Sequence, residues 1–375
     1  MAPLALLSLL LVAPGTQAGG PGKWTMVTDK AGRNTQQVGL VRTKDGVLHV
    51  AWADAGTNPT LWHVGIKRNG APVGAKNAIV TGFKSVSNPD LVLAADGSLR
   101  VFFGGLSTPA NSALNTAAAP ATGAAWSLQV GKAAQDNTAY NSGSGAGTTK
   151  DGTPVSAWAT TFGTRAHFGT NPADADVAVQ TQTQCCGYYP DIATADTAGR
   201  AVIGWYSNAN GAEGLATQEI AATGPVGPKL FAPGTAGARR SLSIDQRFAI
   251  TARQGGGVYV GYSTGYPTAT TVNLWKHGAK APALKIKARG AQDVNIAAAP
   301  GGRLWLMWHR GGVIYVTRTN AAATRAGPVR TVKPPAKTST IWKLSGEGSR
   351  AGVLDLMAHV SRPGSTATWH TQVKP

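Results

Sequence analysis

Both cysteines of the 375-residue chain are neighbours: Cys185 and Cys186 stand in TQCCGYYPD, ahead of Tyr188, Tyr189 and Asp191. A disulfide between adjacent residues closes essentially no loop, so it adds almost none of the usual chain-entropy stabilisation. It is also strained, because adjacent Cα atoms lie about 3.8 Å apart and disulfides span about 4.4–6.8 Å. Such a bond would stiffen one peptide unit and present a flat sulfur surface beside two tyrosines. That suits a platform for stacking a sugar ring or another flat apolar face, or a redox switch; the alternative is two unbonded thiols in a loop. Further polar groups recur at the heads of apolar runs. They are Asn88 and Asp90 in SNPDLVL, Asp245, Gln246 and Arg247 in IDQRFAI, Asp293 and Asn295 in QDVNIAA, and Trp342 and Lys343 in IWKLSGE.

Two carboxyls flanking a glycosidic bond, roughly 5–9.5 Å apart, are the requirement of glycoside hydrolysis. Asp90, Asp191 and Asp293 are the candidates for such a pair. Taken singly, each reads as a turn cap, a carboxylate accepting backbone hydrogen bonds where a strand begins. The three glutamates, Glu213, Glu219 and Glu347, fall at no clear strand start. The seven histidines show no HxH or HExxH spacing, and Asp174 with Asp176 reads as a solvated turn, so no metal or cofactor is expected.

The elements that would position these groups form an internal repeat. KDGVLHVAW, ADGSLRVFF, KDGTPVSAW, TAGRAVIGW, QGGGVYVGY, PGGRLWLMW and RAGVLDLMA each carry a glycine six residues before the last position. Those glycines are Gly46, Gly97, Gly152, Gly199, Gly256, Gly302 and Gly352, at intervals of 51, 55, 47, 57, 46 and 50 residues. Glycine between two apolar runs of strand character signals a hairpin. Seven hairpin units near fifty residues apart, often followed by a third segment such as TLWHVGIKR or GVIYVTRTN, predict an all-β, single β-propeller. Seven blades are expected; six result if the Ala358 unit merges with N-terminal strands to close the ring. The terminal aromatics, Trp52 through Trp308, read as packing between blades.

The repeating unit resembles secreted sialidase-like and other BNR-type propellers and, more loosely, propeller lectins. The resemblance covers nearly the whole chain after the leader but lies in architecture. The Ser/Thr-x-Asp-x-Gly-x-x-Trp Asp-box is not matched, and the KDGT and ADGS turns occupy a different hairpin. A sialidase would need a Tyr–Glu pair and three arginines on the substrate carboxylate, a set that cannot be assembled here. In a propeller the inner strand of each blade lines a central channel. The polar strand heads would then converge on one mouth, with PDIATA as an inner strand and CCGYY as the loop entering it.

The N-terminus, MAPLALLSLLLVAPGTQAGG, has the apolar run and small-residue site of a secretory leader over residues 1–18, although no Lys or Arg precedes the run. Residues 19–375 then form one exported domain, with no segment apolar enough to insert stably in a membrane. The formal net charge is +18, and it is lopsided: residues 1–220 hold 14 Lys/Arg and 13 Asp/Glu, residues 221–375 hold 21 and 4. A positive flank of this kind attracts polyanions. For an exported protein the expected partner is an extracellular glycan or anionic cell-surface polymer, with nucleic acid less expected and a monomer assumed. Two functions follow. One is non-catalytic glycan binding at the channel mouth by Cys185, Cys186, Tyr188, Tyr189, Asp191, Arg247, Asn295, Trp342 and Lys343. The other is a glycoside hydrolase or lyase working through the mouth aspartates. If those aspartates are tied into backbone turns, binding is favoured.

Overall fold

The computed structural model describes residues 24–31, 38–106, 112–133, 144–160, 163–171, 173–181, 187–207, 209, 211–237, 247–335, 340–362 and 365–375. Its strands form seven four-stranded antiparallel sheets, and each sheet is one blade of a propeller. The inner strands of blades 1 to 7 are Gly39–Arg42, Ser85–Leu93, Ser144–Thr148, Gly187–Thr194, Ala249–Ala252, Gln292–Ala299 and Thr340–Gly348. Blades 1 to 6 are built from consecutive strands. In blade 7 the fourth, outer strand is the N-terminal segment Thr25–Thr28, which pairs with Ser365–Val373. The two ends of the chain therefore meet in one sheet, and the Ala358 unit is a full seventh blade rather than a remnant merged into a sixth.

The repeat glycines do what a tight hairpin demands. All seven have positive φ, from 69° at Gly199 to 100° at Gly256, a region that costs a β-carbon dearly. Each sits in the turn joining an inner strand to the second strand. The same pair of backbone bonds recurs there, as in Gly46 N–H to Thr43 O and Thr43 N–H to Val47 O. These turns are also joined around the ring. Asp151 accepts from the Gly199 amide of the next blade at 3.0 Å, Asp196 accepts from Gly257 at 2.9 Å, and Gln254 accepts from Gly301 at 2.8 Å.

The second strands are buried on both faces, because a blade is covered by a neighbour on each side. Leu48–Ala53 and Pro154–Thr160 are buried throughout, so these strands read as continuous apolar runs. The terminal aromatics Trp52, Phe103, Trp158, Trp205, Tyr262 and Trp308 are at most 3% exposed. Apolar clusters bridge every adjacent pair of blades, from the 1–2 cluster that holds Ala51 and Phe103 to the 7–1 cluster that holds Val50 and Met357. Outer strands such as Pro72–Val80 are largely exposed, which completes a radial gradient from apolar core to polar rim.

Candidate functional site: the channel mouth

The mouth is made by a defect that recurs in the inner strands. Pairing with the second strand slips between Ser87 and Asp90, Tyr188 and Asp191, Gln292 and Asn295, and Ile341 and Lys343. In blades 2, 4 and 6 a non-glycine residue takes the left-handed conformation at this bulge: Asn88 (φ 48°), Tyr189 (φ 51°) and Asp293 (φ 50°). A bulge re-aims the side chains beyond it. Two residues on, Asp90, Asp191 and Asn295 all face the central channel.

The channel pocket has a volume of about 220 Å³. Asp90, Tyr189, Asp191, Arg247, Asn295 and Lys343 line it, over a floor of Val38, Leu40, Ala297 and Ile250. Six residues expected at the mouth are thus brought together. Four others are not in its lining, the first being Asn88, which is 2% exposed and whose carbonyl accepts from the Ser144 hydroxyl. Tyr188 packs between Tyr189 and Tyr206, with ring centroids 6.2 Å from each. Asp293 is 2% exposed and accepts from the Leu344 amide. Trp342, at the blade 7 bulge, is 51% exposed outside the pocket. Cys185 and Cys186 lie outside the described residues, as do Asp245 and Gln246. Gly187 and Tyr188, expected in the entering loop, already pair with Ser207 and Tyr206 in the sheet.

Both mouth aspartates are tied to backbone across a blade boundary. Asp90 accepts from its own neighbour Leu91 N at 3.0 Å and from Ala146 N of blade 3 at 2.7 Å. Asp191 repeats this with Ile192 N at 2.9 Å and Ile250 N of blade 5 at 3.0 Å. Blade 6 varies the theme: Asp293 takes the Leu344 amide and Asn295 donates to the Leu344 carbonyl at 3.2 Å.

Depth in the disc shifts the protonation of this ring. Burial raises Asp90 from 3.8 to about 7, aided by the Asp191 charge and opposed by its amide bonds. Burial raises Asp191 to about 6, against the pull of the Ile250 and Ile192 amides. Burial lowers Lys343 to about 7, and the Arg247 charge lowers it further, while Asp293, Asp191 and Asp90 oppose the shift. Arg247 lies 4.4 Å over the Tyr189 ring, a cation–π contact that holds the ring at the rim.

Glu347 also lines the pocket, and burial raises it to about 7, with Arg42 pulling the other way. It lies toward the end of the blade 7 inner strand, so a search confined to strand heads passes over it. The signal was period two: Lys343, Ser345 and Glu347 share one face of a strand. Among the described residues no cluster of three or more His, Cys, Asp or Glu could hold a metal ion.

These features define a seven-bladed β-propeller with a charged, polar channel mouth over an apolar floor. No protein-family model matches the chain, and no curated protein matches it. Its fold is similar to that of an ulvan lyase, a polysaccharide lyase of a new family, bound to -[GlcA(1-4)Rha3S]-. There the TM-score is 0.58 at 8% identity, over 93% of this chain and 96% of that one. Aleuria aurantia lectin in complex with Fucalpha1-6GlcNAc gives 0.50 at 8%, over 92% and 96%. A protein of unknown function from Dyadobacter fermentans gives 0.52 at 13%, over 93% and 98%. At such identities the likeness is one of fold.

Proposed function

We propose that the protein is an exported propeller that binds a glycan, or another anionic extracellular polymer, at the channel mouth without cleaving it. The observation that carries this reading is the engagement of Asp90 and Asp191 by two backbone amides each, one from the next residue and one across a blade boundary. Carboxylates held in this way fix the spacing of blades. They can still accept a sugar hydroxyl, while both oxygens of each are already engaged by backbone amides. Around them stand the donors Arg247, Lys343 and Asn295, and the ring of Tyr189 offers a stacking face. Two proteins of similar fold hold sugars in their complexes, which supports a glycan as the ligand class.

One observation favours the second reading, a hydrolase. Asp90 at about 7 and Asp191 at about 6 are carboxyls suited to carrying a proton near neutrality. The two readings part in one experiment. The protein freed of its leader is incubated with acidic and neutral polysaccharides, and both retention and newly released reducing ends are measured. Retention without release supports binding. Release that disappears in Asp191→Asn makes the protein a hydrolase. The leader over residues 1–18, extracellular location, a monomeric state and the Cys185–Cys186 bond belong to the same proposal. The mass of the exported protein before and after thiol alkylation tests the leader and the bond.

A further inference from the structure

A second concavity lies on the face opposite the mouth. Strands of a blade alternate in direction, so the start of a second strand, the end of a third and the start of an outer strand all fall on the far face. In blade 6 those three places are occupied by Arg303, Arg318 and Arg330, and the loop between the last two carries Arg325. The four arginines line one groove of about 380 Å³ that contains no Asp or Glu side chain; Pro375 also lines it, without an ion pair to any of the four. Among the described residues no salt bridge reaches any of them. Elsewhere the chain does pair its arginines, as in Arg42 with Asp355 and Arg200 with Glu219. Two of the four are held by backbone carbonyls alone: Arg303 donates to Thr319 O at 3.3 Å and Arg330 to Lys374 O at 2.9 Å. Arg318 lies 5.5 Å over the ring of Trp305, which itself donates to Gly352 O. Burial and the charges of Arg303 and Arg330 all push Arg318 below its ordinary value.

Gathering four like charges costs free energy unless an anion joins them. Guanidinium forks match the oxygens of sulfate and phosphate in pairs, and the groove has room for a substituted sugar residue as well as its charged group. We propose that this groove is a second ligand site, distinct from the channel mouth, which binds a tetrahedral oxyanion carried on an acidic polymer. A sulfate ester and a phosphodiester share that chemistry, whereas a carboxylate engages fewer donors.

The test uses the full chain with dextran sulfate, polyphosphate and hyaluronan, the last carrying carboxylates only. Affinity is measured over a range of salt for the parent, for Arg318→Gln with Arg325→Gln, and for Lys285→Gln with Lys287→Gln. The second pair removes equal charge from an exposed outer strand of blade 5. The expected result is binding of dextran sulfate or polyphosphate well above hyaluronan. The arginine pair should lose about tenfold or more, the size of a charge-assisted contact, and the salt slope should fall by about 2. The lysine pair should change little. The stronger of the two tetrahedral probes identifies the source of the oxyanion. Equal losses in the arginine and lysine pairs, or a preference for hyaluronan, would overturn the site in favour of a diffuse positive field. Arg325→Gln alone, at an exposed loop position, repeats the comparison if the double variant folds poorly.

Discussion

Replacing Asp90 with Asn should change the sign of its effect with pH. The Asp90 carboxyl accepts from Ala146 and Leu91 amides, and Asn offers one oxygen where the carboxylate offers two. One buried amide then faces an NH₂ group, which costs about 1–3 kcal/mol at any pH. The opposing effect comes from the proton. A carboxyl raised from 3.8 to about 7 binds its proton more tightly in the folded state than in the unfolded chain. The parent therefore loses stability as pH rises from about 4 to about 7, by up to about 4 kcal/mol when fully ionised. Asn carries no such proton. At about pH 4 the variant should be less stable than the parent by about 1–3 kcal/mol; at about pH 8.5 it should be equal to it or more stable. Urea unfolding of both proteins at the two pH values, with matching m-values, reads the difference directly. A penalty that stays constant across this range would refute the raised carboxyl and the burial that causes it.

Other expectations concern the ring and its turns. Binding of an anionic ligand at the mouth should weaken as pH rises through about 7. Lys343 loses its proton there while Asp90 and Glu347, near the same value, gain charge, leaving Arg247 as the cation beside them; affinity measured at fixed ionic strength checks this, and a flat profile would contradict it. Gly199→Ala should cost about 1 kcal/mol, since φ is 69° but nothing lies within 4 Å of the added carbon. Gly302→Ala should cost clearly more, because its β-carbon would meet Arg253 Nη1 at 2.6 Å and Ala321 O at 2.9 Å; denaturant midpoints of the two variants give the ranking. Asp293→Ala strips the Leu344 amide of its acceptor in a buried site and should cost about 2–3 kcal/mol, with Asp293→Asn costing less.

The architecture was legible because every blade repeats one local requirement. A glycine at positive φ must follow each inner strand, and a large apolar residue must end the next strand in the interface between blades. Both requirements survive as single letters, the glycine in all seven repeats and the large aromatic in every repeat but the one ending at Ala358, so the copies stood out in a chain with little else in common between repeats. The mouth was half legible. The Pro-Asp pairs and the QDVN stretch sit where the inner strands bulge, and a polar residue before an apolar run marks such a place. The cross-blade partner of each carboxylate was not legible. A backbone amide carries no letter, and Ala146, Ile250 and Leu344 look like any apolar strand residue. Glu347 escaped for the opposite reason: its letter is plain, but its place in the channel follows from strand period rather than from strand beginnings. The arginine groove was visible only as an excess of charge in the last 155 residues. Its residues are spread from Arg303 to Arg330 and converge because alternate strand ends share a face.

The carboxylate ties in the channel run across every second blade boundary, and an odd blade count leaves blade 1 outside the pattern. Blades 2, 4 and 6 supply the acceptors Asp90, Asp191 and Asp293; blades 3, 5 and 7 supply the amides of Ala146, Ile250 and Leu344. Blade 1 supplies neither partner, and among the described residues no such bond spans the boundary between blades 7 and 1. A different set of contacts joins this seam. Arg42 of the blade 1 inner strand pairs with Asp355 of blade 7, which also binds His370 at 2.8 Å and Gln372 at 2.9 Å. The N-terminal strand Thr25–Thr28 then completes the blade 7 sheet. Side chains nearly excluded from water make this ion pair costly to break from one side, because the survivor is left as a buried, unpaired charge. The seam is thus secured by charge and by the chain terminus, where the 2–3, 4–5 and 6–7 boundaries carry carboxylate-to-amide bonds in the channel. Glu347 stands in the channel on the blade 7 side of that seam, within the field of Arg42 and Asp355, so the mouth and the ring closure share one electrostatic environment.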